Sequence, residues 1–288
     1  MKFTRGPGRV PSIKKSMMLW VILTLFLIIV TYYTVVSKRM PVEQYNPPSP
    51  SPDDETVYCI MITSDKRHRF MLHSVSNFKE QDYVKKKLVI ISESKMTDPI
   101  LDDERILQIP VPRKHSITLG RLRNIAFEFI PDRAIFTVWD DDDIRSPDYI
   151  SVLKQNLGQD DYVMISKRIE YNLNTNFIWV MELKPGFVLY FGRKFDGLKY
   201  ENVDVNEDVK MRQHIKNRYK SKVLDNDPKL YIRVAHDSNT SLLVNKEKTH
   251  IRNTERNKMY FEHPISRDDS LYAKERIAKF NSFMNQTS

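Results

Sequence analysis

The chain has 288 residues, 41% hydrophobic and 29% charged, a balance that suits a folded core and excludes a wholly disordered chain. Its net charge is +9, but residues 1–40 hold seven Lys and Arg and no Asp or Glu, leaving 39 basic and 37 acidic residues, or +2, on the other 248. A nucleic-acid partner needs a basic face on the folded body and is not expected. Seven glycines form neither G-x-G-x-x-G nor G-x-x-x-x-G-K-[ST], against Rossmann dinucleotide and P-loop chemistry, and the single cysteine, Cys59, excludes internal disulfides and a Cys-built zinc site.

Residues 17–36 (MMLWVILTLFLIIVTYYTVV) form an uncharged run of 20, about 30 Å long as a helix and enough to cross a bilayer core. Trp20, Tyr32 and Tyr33 lie near its ends, where interfacial aromatics belong. The run is too long for a cleaved signal peptide, and no A-x-A site follows it. Five positive residues precede it and two follow. The positive-inside rule makes 1–16 a cytoplasmic tail and puts the body across the membrane, a single-pass type II layout with membrane attachment through 17–36. Residues 37–55 read as a stem, because five prolines within 41–52 rule out a helix. The folded domain is expected at 56–288.

Within the body, Val57–Thr63, Lys87–Ile91, Arg105–Ile109 and Ala134–Trp139 are short apolar runs that read as buried strands. His68–Phe78 and Ile117–Ile130 carry apolar stripes at helical spacing, and Pro147 opens a helix running through Leu157. This alternation predicts an α/β domain with a mostly parallel central sheet and helices on both faces. Further on, Tyr162–Tyr171 and Phe177–Phe191 read as strands around the Lys184-Pro185-Gly186 turn, Val205–Lys216 as a helix, Lys229–Ala235 as a strand and Arg267–Asn285 as a terminal helix. In parallel sheets ligands bind beyond the carboxyl ends of the strands, here just after Thr63, Ile91 and Trp139.

Four adjacent carboxylates, Asp140-Asp141-Asp142-Asp143, follow the Ala134–Trp139 strand directly. Such a run is stable as a solvated loop or around a cation. At the carboxyl end of a core strand its oxygens suit Mg²⁺ or Mn²⁺ carrying a diphosphate.

The segment Asp140–Pro147 (DDDDIRSP) resembles the D-x-D-D-x-x-x-P segment of family 2 glycosyltransferases of the GT-A fold, a Rossmann-like nucleotide-diphospho-sugar transferase domain. Other segments are similar in the same order: Cys59–Arg67 to the first strand and loop, Leu88–Ser94 to strand two, Gly120–Ala126 to the G-x-x-R-N-x-A helix, Glu207-Asp208 to the E-D pair, and Tyr231–Ser241 to the late strand ending in a His. The resemblance spans roughly residues 57–241.

It implies a metal-dependent, inverting glycosyltransferase that moves a sugar from a nucleotide-sugar donor to an acceptor hydroxyl on a glycan, lipid or protein. Asp142 and His236 would hold Mn²⁺ or Mg²⁺. Asp208 would be the general base, with Glu207 beside it. Thr63, Asp65, Arg67, Ser92, Glu93, Arg123, Asp140 and Asp141 would line the donor site, and Asn124 would serve structure. Ser92-Glu93 stand where the family has an Asp for the base, so a UDP-sugar is favoured but not fixed; Ser64 replaces a stacking Tyr, and no Q-x-x-R-W follows the E-D pair, which implies a single addition. A lumenal body fits a Golgi or ER membrane.

Plainer readings stand beside these. Glu207-Asp208 also suits the first turn of any helix, His236 an ordinary strand end, Arg123 a solvent-facing helix position and Cys59 core packing. His68, His73 and His115 have no ligand spacing, and Asn239 and Asn285 begin glycosylation sequons. The altered residues keep open a membrane-anchored, non-catalytic binding protein on a degenerate glycosyltransferase scaffold. A metal-dependent hydrolase is the third reading, without an evident nucleophile.

Overall fold

A computed structural model describes residues 55–112, 117–236 and 260–286. All belong to one compact unit, Pro50–Ser288. The expected tail, span and most of the stem, with His115 and Asn239, lie outside the described residues. Among the described residues no helix is long and apolar enough to cross a membrane.

The first half follows the expected alternation. Strand β1 (Val57–Ile62) is followed by helix α1 (His68–Lys79), β2 (Lys86–Ser92), β3 (Ile106–Pro110), α2 (Leu119–Phe127), β4 (Ile135–Val138), a two-residue β5 (Ile144–Arg145) and α3 (Tyr149–Leu157). The chain continues through β6 (Tyr162–Ile165), β7 (Lys167–Asn172), β8 (Phe177–Leu183), β9 (Tyr190–Arg193), α4 (Glu207–Arg218), β10 (Ser221–Leu224), β11 (Tyr231–Ala235), β12 (Tyr260–His263) and α5 (Arg267–Gln286).

The central sheet has seven strands in the order β10-β6-β9-β4-β1-β2-β3. Four of its six strand pairs are parallel, in line with the mostly parallel sheet expected, but the sheet is mixed, with β9 antiparallel to both β4 and β6. Helices do cover both faces. Strand alternation sends Cys59, Met61, Leu88 and Ile90 to one side, against Met71, Val75 and Phe78 of α1 and Leu153 of α3. Ile60, Val89, Ile91 and Phe136 go to the other, against Ala126 and Phe127 of α2 and Met211 and Ile215 of α4. Cys59 is core, as its apolar neighbours suggested; burial pushes its thiol up to about 12.

A second sheet, β12-β8-β7-β11-β5, was not foreseen. The stretch Tyr162–Tyr171, read as one strand, is two strands in different sheets. The crossing point is held by the buried Asn226: its Oδ1 accepts from the amides of Ser166 (2.9 Å) and Lys167 (3.1 Å), and its Nδ2 donates to the Lys167 carbonyl (2.8 Å). Likewise β8 and β9 flank the turn at Gly186 (φ 83°) but belong to different sheets. One face of the second sheet packs Ile169, Tyr171, Val180, Ile232 and Val234 against Ala273, Ile277 and Phe280 of α5. The other face packs Met181, Leu183 and Tyr231 into the core shared with α1 and α3, where Tyr231 meets Asp143.

Candidate active site

Strand β4 delivers the acidic run into a loop that distant residues hold in shape. Trp139 is fully buried, and its indole N–H donates to the Ser74 carbonyl on α1 (3.3 Å). Ser74 Oγ donates to the Asp140 carbonyl (3.1 Å). Asn77 clamps both backbone groups of Arg145, at 2.8 Å each. The buried Arg145 guanidinium lies 4.1 Å from the Trp139 ring and donates to the Asp140 carbonyl (3.3 Å). Ser74 and Asn77 carried no recognisable signal in the sequence, because their contacts join segments more than 60 residues apart.

Each carboxylate then takes a different partner. Asp140 is the most open and lies 3.8 Å from Arg123 Nη2. Asp141 accepts from Thr63 Oγ1 (2.7 Å) and pairs with Arg67 (2.7 Å). Asp142 pairs with the same guanidinium nitrogen (2.5 Å) and lies 3.0 Å from His236 Nε2. Asp143 accepts from the Tyr231 hydroxyl and from the Val234 amide (2.9 Å), so it fastens β11 to the loop. Burial and the Asp142 charge push the Asp141 and Asp143 carboxyls above the ordinary range, despite the Arg67 and Thr63 contacts to Asp141. Burial opposes ionisation of Asp142 too, but the hydrogen bond from His236 and the Arg67 charge outweigh it and hold that carboxyl low.

His236 follows the last residue of β11, and its ring stacks on Phe70 of α1 at 4.5 Å. The expected pair Asp142 and His236 thus meets. Among the described residues no group of three His, Cys, Asp or Glu is placed to hold a metal. Two protein donors still fit Mg²⁺ or Mn²⁺, which keep several waters and share phosphate oxygens. Donors 3.0 Å apart also match adjacent positions of an octahedron with ligands about 2.1 Å from its centre.

The second group lies across the acidic loop. Arg123, nearly fully buried on α2, bonds Glu207 Oε1 through Nε (3.3 Å), and its guanidinium sits 5.5 Å from the Tyr200 ring. Arg123 is therefore not a solvent-facing helix residue. Burial raises the Glu207 carboxyl and Arg123 opposes that rise. Glu207 is committed to Arg123, whereas Asp208 is partly exposed at the start of α4, with Oδ1 accepting from the Val209 amide (2.7 Å). Helix α4 begins at Glu207, two residues after the expected Val205, because Asn206 turns the chain through φ 64°. The preceding loop is fixed by the N-terminus of α2: the Gly120 amide donates to the Val203 carbonyl (3.0 Å) and the Leu119 amide to Asp204 (3.0 Å). A Cβ on Gly120 would lie 1.9 Å from the Glu201 carbonyl oxygen, so this approach requires glycine. Asn124 bonds both backbone groups of Tyr200, at 3.0 and 2.8 Å, the structural part expected of it.

Beyond the carboxyl ends of β1 and β2 lies an open pocket of about 470 Å³, lined by Asp65, His68 and residues 94–98. Asp65 accepts from Ser94 Oγ (3.0 Å). Ser92 and Glu93 precede this lining rather than forming it, and the buried Ser92 hydroxyl donates to the Ser94 carbonyl (2.7 Å). Lys95, Met96 and Asp98 are wall residues that no motif marked.

No family model and no curated protein sequence matches the chain. Solved structures do. S. aureus TarS 1-349 in complex with UDP-GlcNAc is 12% identical, with 64% of this chain and 60% of that chain covered at a TM-score of 0.51. The same fragment in complex with UDP is 11% identical, covering 62% and 60% at a TM-score of 0.50. The fold is GT-A-like. A mannosyltransferase, PcManGT from Pyrobaculum calidifontis, in complex with GDP-Man and Mn²⁺, is 14% identical over 67% of this chain and 61% of that chain. Its TM-score of 0.45 carries no weight here. This chain spans about three fifths of the TarS fragment's length.

Proposed function

We propose that the protein transfers a sugar from a nucleotide-sugar donor, a UDP-sugar in the favoured case, to an acceptor hydroxyl with inversion. The observation that carries this reading is the convergence of Thr63, Arg67, Asp141, Asp142 and His236 at the carboxyl ends of β1, β4 and β11. Ligands of open α/β sheets bind at such strand ends. The solved TarS structures with UDP and UDP-GlcNAc support the donor class.

In this reading the pocket at Asp65 and residues 94–98 takes the nucleoside, and Arg67 offers the diphosphate a fixed positive fork. Asp142 and His236 would hold Mn²⁺ or Mg²⁺, which when bound neutralises the leaving diphosphate. Asp208 takes the proton of the acceptor hydroxyl. The acceptor oxygen forms a bond to the anomeric carbon from the face opposite the leaving group, and the pair of the broken C–O bond departs with the diphosphate. Arg123 holds Glu207 in place, and so positions the start of α4 and Asp208. The proposal includes a type II anchor at 17–36 and a lumenal Golgi or ER body, both resting on the sequence.

A second reading is favoured by Arg67 itself. Its guanidinium already pairs with both Asp141 and Asp142, as expected of a non-catalytic binding protein on a degenerate scaffold. Calorimetric titration of the full-length chain in detergent with UDP, GDP and CMP, with and without Mn²⁺, separates the two. Mn²⁺-dependent binding of one nucleotide, lost in Asp142→Ala, is the expected result. A folded protein that binds none of them has no donor site, and the transferase reading falls.

A further inference from the structure

Helix α4 carries charge that the scheme above does not use. After Glu207 and Asp208 in its first turn it holds no carboxylate, and residues 209–224 contain six Lys and Arg with no Asp or Glu. Most of the lysines have acidic partners: Lys210 pairs with Glu201 (2.5 Å), and Lys220 and Lys222 lie 3.3 and 3.5 Å from Asp160. Arg212 and Lys216 differ. Among the described residues neither has a carboxylate within ion-pair distance. Arg212 Nη1 donates to the Gly186 carbonyl (2.6 Å), and Lys216 Nζ to the Pro185 carbonyl (2.8 Å).

Helical spacing sets these two cations beside Asp208. Asp208, Arg212 and Lys216 follow one another at four-residue intervals, so they lie along one flank of α4. Arg212 stands about 6 Å and Lys216 about 12 Å beyond Asp208 along the axis. A carboxylate and an arginine at this spacing commonly pair, yet Arg212 reaches the turn instead and Asp208 Oδ1 accepts from the Val209 amide. The turn is pinned by its own backbone: the Gly186 amide donates to the Leu183 carbonyl (2.8 Å) and the Phe187 amide to the Ile165 carbonyl (2.9 Å). The exposed Lys184 stands on the same turn. Beside it the Arg168 guanidinium lies 3.9 Å from the Phe187 ring, and its partner Glu170 is shared with Arg233, two guanidiniums to one carboxylate. Burial, and after it the Arg212 charge, lower the Lys216 ammonium; the two cations stand close together with no anion between them. Cations in a last turn often complement the helix dipole, but Lys216 faces the carbonyl of a different turn and Arg212 is mid-helix.

We propose that Arg212 and Lys216 select an acceptor saccharide that carries an anionic group, a carboxylate, sulfate or phosphate, on the reacting ring or the ring next to it. This rests on the transferase reading and narrows its acceptor class. With the reacting hydroxyl at Asp208, the first turn along α4 is the reach of a substituent on the same ring, and the second that of a neighbouring ring. Each cation has donors left after its carbonyl contact: four N–H groups on Arg212 and two on Lys216. Hydrogen bonds from such groups to an oxyanion are the strong, charge-assisted kind. The donor diphosphate has Arg67 and the metal in the same reading, which leaves these two cations to the acceptor. Because backbone carbonyls hold both side chains, they suit an anion fixed on a ring better than one on a flexible stem.

The test uses the full-length chain in detergent, saturated with UDP and Mn²⁺ so that the donor site is filled. Saturation-transfer NMR is recorded with digalacturonate, galactose 6-sulfate and galactose 6-phosphate, with galactobiose and galactose as neutral parents, and with tetraglutamate. At least one charged saccharide should bind about tenfold more tightly than its neutral parent, the scale of one charge-assisted hydrogen bond. Which one does so names the anionic group. Lys216→Gln and Arg212→Gln should each remove most of that preference, and so should raising NaCl to about 0.5 M. UDP affinity should stay within about twofold. Lys216 is exposed, so its variant folds even if Arg212→Gln unsettles the turn. If UDP binds and no charged saccharide is preferred, or if the preference survives in both variants, the proposal is refuted while the donor reading stands. Tetraglutamate binding as tightly as the charged sugars, and lost in the same variants, makes the flank a general anion surface and also overturns it. If UDP itself fails to bind, the transferase reading has failed, and the proposal falls with it.

Discussion

Replacing Arg123 by Met removes the ion pair that ties α2 to α4, together with the longer contacts to Asp140 and Tyr200. The Arg123 and Glu207 side chains are 7% and 4% exposed, so solvent screens them little. Removing one partner of a buried pair costs about 3–5 kcal/mol, mostly because a charge is left without compensation. The contact is single, through Nε at 3.3 Å, which points to the low end, about 3 kcal/mol. For a domain of this size that is a fall in Tm of roughly 6–12 °C. Arg123→Met/Glu207→Gln removes both charges and should recover most of the loss, with a coupling of about 2 kcal/mol in urea denaturation of the full chain. The pH dependence gives an independent readout. Burial already raises the Glu207 carboxyl against Arg123, and in Arg123→Met nothing opposes it. A carboxyl raised in the folded state binds its proton more tightly folded than unfolded. Its stability is intact below the ordinary pKa and is lost as pH rises through the folded value. The deficit of Arg123→Met should therefore be small near pH 4.5 and grow toward pH 8, by up to about 1.4 kcal/mol per unit of upward shift. An equal deficit at both ends, or a double variant no more stable than the single, refutes this account of Glu207.

Three further outcomes are expected. Gly120→Ala must push the Glu201 carbonyl away from a Cβ that would lie 1.9 Å from it, so it should cost about 1–3 kcal/mol; an unchanged Tm would show that the α2–loop contact is loose. His73 is held to about 4 by burial, with the nearby Arg276 charge adding to it, and packs edge-on against Phe280 of α5 at 4.7 Å. The unfolded chain binds this proton from about pH 6.5, so urea stability should fall between pH 6.5 and 4, by about 3 kcal/mol at most, and His73→Phe should lose part of that slope; parallel slopes would remove His73 as the cause. Asp143→Ala strands the Val234 amide and the Tyr231 hydroxyl and should cost about 2–4 kcal/mol, yet leave UDP binding per folded molecule intact; calorimetry showing UDP binding lost with stability unchanged would move Asp143 from scaffold to ligand site.

The strands β1, β2 and β4 were legible because both faces of their sheet are covered, so nearly every residue had to be apolar. The stretch Tyr162–Tyr171 was legible as strand, but not its division into β6 and β7 in two sheets. Arg168 and Glu170 are buried there as a pair at 2.7 Å, with Glu170 also paired to Arg233, and charges that cancel in space leave no apolar alternation in the sequence. Strand β5 has two residues and no period at all, and the four residues of β10 are only half-buried. The candidate site divides in the same way. The acidic run was visible as four carboxylates directly after a core strand, and Arg67 and His236 through the resemblance of their segments to the glycosyltransferase family. Tyr231, Asn77 and Ser74, which hold the run in place, look like ordinary core or helix residues until the fold brings them to it.

Adjacent carboxylates repel, and the fold resolves the repulsion by giving each a different direction and a different cation or donor. Asp143 points to β11 and accepts hydrogen bonds from it, which makes it a structural pin between the two sheets. Asp140 faces Arg123 and, through it, the α4 start that carries Asp208. Only Asp141 and Asp142 share a partner, the Arg67 guanidinium, and only Asp142 also meets His236. At one oxygen, Asp142 Oδ2, an arginine and a histidine therefore arrive from separate elements. A loop that merely needed solvent would not bury three of its four carboxylates and then bring charge from α1's approach, α2 and β11 to balance them. Burial on that scale is costly unless each group is paired, and it is the pairing, more than the run of aspartates itself, that separates this loop from a solvated acidic turn.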